Sequence, residues 1–296
     1  MILGQRARGL GLSFLKGEYL MIRPNVGHIN FLNVLPLNYF YAINGAENFS
    51  LTMGVPAVIN AKIKSGLLDV SLISSIEYAR QNKNLLLIPK ICVRADCEVT
   101  SIILVSKKPI EKLDGEKLAI TAKSATAHCL LKIILAESYN VKPDYVVENL
   151  NVENPIPADS TAALFIGDEA LYLHLHQNKN FFYYDLGSEW HKLTGRQMVY
   201  AVWVARKNFT DSDTLKNVCK KIYDGLQFGL QNKTSAINSV LDKVPFSFAE
   251  LDEYLGGAIK WDLTAEGIDA LKIFYELAHK NNLLEEIPQI EIVGGI

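Results

Sequence analysis

A chain of 296 residues, 49% hydrophobic and 21% charged, is long enough for one large or two ordinary domains and has the make-up of a soluble globular protein. Its 30 basic and 32 acidic residues leave a formal charge of −2, which excludes the electrostatic footprint of a nucleic-acid or anionic-membrane binder. No stretch approaches the length of a membrane span. Cys92, Cys97, Cys129 and Cys219 show no C-x-x-C spacing, so no metal or redox centre is expected. A Cys92–Cys97 disulfide is compatible with the sequence; buried free thiols in a reducing compartment are the expectation.

Residues 1–21 carry two arginines and a short apolar patch broken by glycine and lysine, with no small-residue cleavage site after it. They are expected to form a leader outside the fold, either a flexible extension or the product of an upstream start, since Met21 stands directly before the first strand. The run from Gly27 to Leu37 then reads as a strand ending near Asn33, followed by a helix from about Pro36 to Asn44, where proline suits the first turn. Residues 51–55 form a second strand, Pro56 opens a helix that stops at Gly66, and residues 68–73 form a third strand. That strand breaks at Ser74-Ser75 into a helix over 76–80. Further strands are expected at 100–106, 117–121, 163–166 and 198–205, with a long helix opened by Ser124 and only helices after Asn208.

Alternating strands and helices argue for α/β layers. The long apolar strands at 100–106 and 198–205 bracket a section with its own strand–helix units, which suggests two lobes. The expected division is 22–104 plus 206–296 for a discontinuous first lobe and 105–205 for the second, with the two strands crossing as a hinge and a ligand cleft between the lobes. There is no internal repeat and no low-complexity segment.

Where strands yield to helices the residues share one chemistry. Asn33, Ser74, Ser75, Thr121 with Ser124 and Thr126, and Gly167 with Asp168 all lie at such points, and Ser101 opens the strand at 100–106. In open α/β sheets ligands sit at the carboxyl ends of strands, and helix N-termini bind anions. Any one of these residues is explained by helix capping; all in one cleft describe a pocket for a small, polar, anionic molecule. Elsewhere the signals are structural. His174 and His176 are two apart and share no helix face, so solvent exposure is expected. His128 lies one turn into the helix opened by Ser124, where a place near a ligand and a packing role are both open. Glu77 follows Ser74 at capping-box spacing, and Asp168 is explained equally by an N-cap role. Trp203 fits hinge packing. Gly9-x-Gly11 follows no strand, and there is no Walker motif or G-x-S-x-G elbow.

With these residues in view, the chain resembles the chorismate dehydratase family of the futalosine route to menaquinone. The resemblance covers about Ile22 to Asn282. It rests on Gly27-His28-Ile29-Asn30-Phe31-Leu32-Asn33-Val34-Leu35-Pro36-Leu37, Gly54-Val55-Pro56-Ala57, Leu68-Asp69-Val70-Ser71 with Ser74-Ser75-Ile76-Glu77-Tyr78-Ala79, Thr121-Ala122-Lys123-Ser124-Ala125-Thr126, Ile166-Gly167-Asp168-Glu169-Ala170-Leu171 and Ala201-Val202-Trp203-Val204-Ala205-Arg206. It implies a two-lobe periplasmic-binding-protein-like fold of type II and loss of water from chorismate, giving 3-[(1-carboxyvinyl)oxy]benzoate. Because no clear His or carboxylate base stands among the strand-end residues, the expectation is that the substrate's own enolpyruvyl carboxylate takes the proton, held by Asn33 and Ser101 as the catalytic pair. Ser74, Ser75, Thr121, Ser124, Thr126, Gly167 and Asp168 would bind substrate. No cofactor or metal is called for, and the expected protein is cytoplasmic, a monomer or homodimer, with a small molecule as its partner. The related enzyme that forms 1,4-dihydroxy-6-naphthoate carries a Ser-Pro-Cys-Pro-Asn-Asp opening, absent here, where Asn30-Phe31-Leu32-Asn33-Val34-Leu35 stands. A non-catalytic solute-binding protein would share the fold and pocket but lacks support from a signal peptide or lipobox cysteine, and a ligand-sensing domain would need an attached DNA-binding region.

Overall fold

The computed structural model describes residues 23–209 and 212–294, so the leader expected over 1–21 lies outside the described residues. β1 (Asn25–Ile29) leads through a 3₁₀ turn at Leu32–Val34 into α1 (Leu35–Asn44), with Pro36 in the first turn, where a missing N–H leaves no bond unmade. β2 (Ser50–Gly54) and α2 (Pro56–Lys64) repeat the pattern. β3 (Val70–Ser74) runs directly into α3 (Ser75–Gln81), and β4 (Leu85–Ala95) carries the chain away. Next come β5 (Ile102–Ser106), β6 (Lys117–Ile120), α4 (Ala125–Tyr139), β7 (Asp144–Val147), β8 (Ala162–Ile166), α5 (Asp168–Leu175), β9 (Phe182–Asp185) and α6 (Leu186–Thr194). β10 (Met198–Arg206) returns the chain, which ends in α7 (Ser212–Gln231), α8 (Lys233–Asn238), α9 (Phe248–Glu253), a π-helical turn at Tyr254–Ala258 and α10 (Ala265–Lys280).

The strands form two five-stranded sheets, ordered β2-β1-β3-β10-β4 and β7-β6-β8-β5-β9. In the first, β1 pairs in parallel with β2 and β3, while β10 runs antiparallel between β3 and β4. In the second, β6 pairs in parallel with β7 and β8, and β5 runs antiparallel to β8 and β9. Each half therefore has the same plan, a small parallel core with one reversed strand. β3, β5 and β8 are buried along their whole length, as strands covered on both faces must be. The halves also share packing away from the cleft: Trp190 of α6 meets Phe274 of α10 edge to face at 5.9 Å, and both are fully buried.

The chain changes sheets at residues 96–101 and again between β9 and β10, not within the strands at 100–106 and 198–205. Ile102–Leu104, expected in the first lobe, belong to the second sheet; residues 198–205, expected in the second lobe, belong to the first. Both strands are apolar on both faces, so their pattern carries no record of which sheet holds them. The outgoing strand is β4, which the sequence pattern hides. Pro89 interrupts it, Lys90 has φ +66°, and the register with β10 shifts between the Leu87↔Val204 and Cys92↔Val202 pairs. β1 also stops at Ile29, short of Asn33, which lies in the 3₁₀ turn.

After Asn208 the described elements are helical apart from isolated bridges from Lys260 and Ile292 to β4. All four cysteines are free; Cys92, Cys129 and Cys219 are buried, and Cys97, contrary to expectation, is exposed on the crossing segment. Among the described residues no helix is long and apolar enough to cross a membrane.

Candidate active site

The ends of the strands meet where the two sheets face each other. Asn33 in the turn after β1, Ser74 at the end of β3, Ser101 on the crossing segment, Ser124 before α4 and Gly167 after β8 line one interlobe cavity. Its volume is about 50 Å³ as the lobes stand, so a molecule larger than a few waters enters it only when the lobes part. None of the residues lining it is charged. A larger outer groove, about 400 Å³, runs beside the crossing segment, but Asp96, Glu98, Glu250 and Glu253 line it and would repel an anion. Of these two, the inner cavity is chemically suited to a small acid.

Most of its polar residues are set by a contact within the protein. Ser101, 2% exposed, accepts a hydrogen bond on Oγ from the Tyr254 hydroxyl at 2.8 Å and turns its own proton toward Val99 O at 3.3 Å. Its carbonyl accepts from Gly167 N at 2.8 Å, tying those two walls together. Ser74 Oγ accepts from Asn60 Nδ2 at 3.0 Å, while Ser74 N donates to Asn60 Oδ1 at 3.1 Å. Ser124 caps α4, accepting from Ala127 N at 3.3 Å. Gly167 has φ +65°, and a Cβ there would lie 3.2 Å from the Phe31 ring, so both backbone and space select glycine.

Asn33 is an exception. Its Oδ1 is buried with no hydrogen-bond partner, which costs on the order of 1–3 kcal/mol unless a ligand supplies one. The backbone beneath it is held firmly: Asn33 O accepts from Trp261 Nε1 at 2.9 Å. Next to that tryptophan, buried Arg94 grips Asp262 with bonds of 2.8 and 2.9 Å to the carboxylate and 2.8 Å to the carbonyl. Asn33 Oδ1 can accept from a donor on a bound molecule without first breaking a bond in the protein.

The remaining predicted residues sit nearby but do not line the cavity. Ser75 and Thr126 bond to each other across the lobes at 3.3 Å, and Thr126 Oγ1 also accepts from Ile76 N at 3.4 Å. Thr121 Oγ1 accepts from Lys123 N at 3.4 Å within its own turn. Asp168 is not the N-cap of α5, a position taken by Gly167; its carboxylate instead accepts from Leu32 N at 3.0 Å, from the other lobe. With Ala57 N on Lys123 O at 3.2 Å, these bonds join the lobes around the cavity.

Burial pushes Asp168 up to about 6, opposed by the Leu32 N–H. The capping box expected at Ser74 and Glu77 is not formed: Asn60 occupies the serine hydroxyl, and Glu77 pairs with Arg80 at 2.6 Å. His128 donates to the Thr121 carbonyl rather than reaching the cavity. His176 is exposed and stacked on Tyr172, whereas His174 is half-buried, 3.9 Å from Glu98. Trp203 stacks on His28 at 5.5 Å inside the first sheet, and burial there lowers His28 to about 3, leaving a neutral ring.

Tyr254, Asn60, Trp261 and Tyr200 are functional neighbours that the sequence reading missed. Tyr200 lines the cavity with its hydroxyl buried and unpartnered. Tyr254 and Trp261 come from the C-terminal helical region, which gives no local sign of touching residues 101 and 33.

Residues 24–280 match the model of a protein family described as menaquinone biosynthesis. The chain belongs to this family. Over 201 residues it is 30% identical to a chorismate dehydratase of Thermus thermophilus, covering 63% of this chain and 71% of the relative. Over 181 residues it is 31% identical to a chorismate dehydratase of Campylobacter jejuni subsp. jejuni, covering 59% of this chain and 64% of the relative. Among solved structures, the Candida albicans CA3427 gene product, described as having the generic periplasmic-binding-protein fold, superposes with a TM-score of 0.61 at 13% identity, covering 93% of this chain and 99% of that one. That likeness shows the fold, a two-lobe α/β periplasmic-binding-protein architecture, as the sequence resemblance implies. The cavity of this menaquinone-biosynthesis family member lies between the two lobes of that fold.

Proposed function

We propose that this protein is a chorismate dehydratase, a lyase that converts chorismate to 3-[(1-carboxyvinyl)oxy]benzoate for menaquinone biosynthesis. The observation that carries the reading is the neutral interlobe cavity that the Asn33 side chain, its Oδ1 buried and unpartnered, shares with the Ser101 hydroxyl. Family membership and the two chorismate dehydratases it resembles support it.

Chorismate carries two carboxylates, a ring proton at C3 and a hydroxyl at C4. Loss of that proton and hydroxyl as water makes the ring aromatic, which drives the reaction. The ring carboxylate gathers charge as the C3 proton leaves, and hydrogen-bond donors held at that oxygen lower the barrier. In this reading the Ser74 and Ser124 hydroxyls receive that end of the substrate, and Gly167, its N–H already held by Ser101 O, shapes the wall beside them. None of the cavity-lining residues is a His, Lys or carboxylate that could serve as base. The enolpyruvyl carboxylate of the substrate itself therefore takes the proton, held by donors on Asn33 Nδ2 and Ser101 Oγ while Asn33 Oδ1 accepts from the substrate's C4 hydroxyl; orientation of this kind supplies up to about 7–11 kcal/mol at the extreme. Ser75, Thr121, Thr126 and Asp168 act in this reading by joining the lobes and shaping the cavity. The protein works in the cytoplasm on a small-molecule substrate, as a monomer or homodimer.

The test is purified protein incubated with chorismate while the ultraviolet spectrum is followed. Turnover to a benzoate, with many equivalents of chorismate consumed per protein, supports the lyase. Stoichiometric binding with chorismate recovered unchanged makes the protein a solute binder and overturns the reading.

A further inference from the structure

Ser101 reaches the cavity through a strained backbone. Thr100 has φ +58°, in the left-handed region that a β-branched residue avoids. It stands immediately before the hydroxyl that the proposed chemistry uses. What holds it there is Asp185, at the end of β9. The Asp185 carboxylate accepts from Thr100 N at 2.7 Å and from Val99 N at 3.1 and 3.2 Å, besides Ser188 N at 2.8 Å in the first turn of α6. Capping α6 requires only the last of these bonds. The others go to the crossing segment, whose close approach is built in: a Cβ on Gly187 would lie 2.2 Å from Cys97 O.

We infer that Asp185 is a positioning residue for Ser101. By accepting from Val99 N and Thr100 N it keeps Thr100 left-handed, and so keeps Ser101 Oγ facing the cavity within reach of Tyr254. The inference rests on the reading of this cavity as the dehydratase site. Without those two bonds Thr100 relaxes to negative φ, the following peptide turns, and the Ser101 hydroxyl leaves its place.

Asp185→Ser separates the two roles, since a serine caps α6 but is too short to reach Thr100 N. Its kcat on chorismate is expected to fall at least tenfold with KM within about threefold of wild type. Thr100→Gly alone keeps wild-type activity, because glycine adopts positive φ freely, and in the double variant it restores about tenfold of the loss. A kcat for Asp185→Ser within threefold of wild type, or a double variant no faster than Asp185→Ser, overturns the inference. Asp185→Asn is the second variant should the serine protein not fold: with its oxygen kept for Ser188 N, its amide nitrogen faces Thr100 N, and the same fall is expected.

Crystal structures of these variants read the backbone directly. The expected Thr100 φ in Asp185→Ser is negative, and a value still near +58° overturns the clamp whatever the turnover. A wild-type protein inert toward chorismate defeats the dehydratase reading alone, and the Thr100 φ still decides the clamp.

Discussion

Tyr254 donates its phenolic hydrogen to Ser101 Oγ at 2.8 Å, joining residues 153 apart in the chain. The bond fixes which role the serine plays. With its oxygen already accepting, Ser101 has its own proton to give, and the 3.3 Å contact to Val99 O is weak enough to yield to a carboxylate. Burial holds the phenol well above the ordinary tyrosine range, so it remains a donor at every working pH.

Tyr254→Phe removes that donor and keeps the ring. Steady-state kinetics are expected to show kcat reduced about tenfold with KM little changed, the size of one hydrogen bond. A variant with unchanged kcat would mean that Ser101 is oriented without it.

Trp261→Phe tests the support under Asn33. The ring stays, but Asn33 O loses the N–H that now reaches it at 2.9 Å. The expected loss is about 1 kcal/mol in denaturant unfolding, together with a several-fold rise in KM as the amide is less firmly placed. Wild-type values for both would remove Trp261 from the site.

Asp168 gives a pH dependence whose sign can be worked out. Its carboxyl binds its proton more tightly in the folded protein, at about 6, than at its ordinary 3.8. Between those values the folded state holds more protons than the unfolded one, so this group's contribution to stability falls as pH rises from about 4 to about 6 and stays reduced above. Asp168→Asn keeps an oxygen for Leu32 N and removes the buried charge. Urea unfolding at pH 7 should find it more stable than wild type by roughly 1–3 kcal/mol, with the gain vanishing toward pH 4. A gain independent of pH would point to packing instead.

Gly167→Ala should destabilise the protein by roughly 1–2 kcal/mol, because φ is +65° and the new methyl would press on the Phe31 ring. Thermal unfolding measures it; an unchanged melting temperature would show that this backbone can relax.

The α/β plan and most of the cavity were legible because both rest on local signals. Proline at Pro36 and Pro56 marks helix starts, Ser124 caps the helix it was expected to cap, and Asn33, Ser74, Ser101, Ser124 and Gly167 do meet in one cleft. What stayed hidden depends on partners far along the chain. β4 is masked by its Pro89–Lys90 bulge, and whether β5 and β10 belong to one sheet or the other is decided by pairing, not by their uniformly apolar residues. Thr126 and Asp168 look like ordinary cap residues until Ser75 and Leu32 of the other lobe arrive beside them. Tyr254 has no local pattern that points to Ser101.

Dehydration of chorismate in the neutral cavity around Asn33 and Ser101 is the proposal on which the site chemistry rests. Proton NMR of chorismate incubated with wild-type protein and with Asn33→Ala tests it most directly. Wild type is expected to convert the diene signals into those of a 3-substituted benzoate, and Asn33→Ala to do so roughly 10² times more slowly, the cost of a misplaced proton acceptor. Chorismate left intact by the wild-type protein, or an Asn33→Ala protein as fast as wild type, would contradict it.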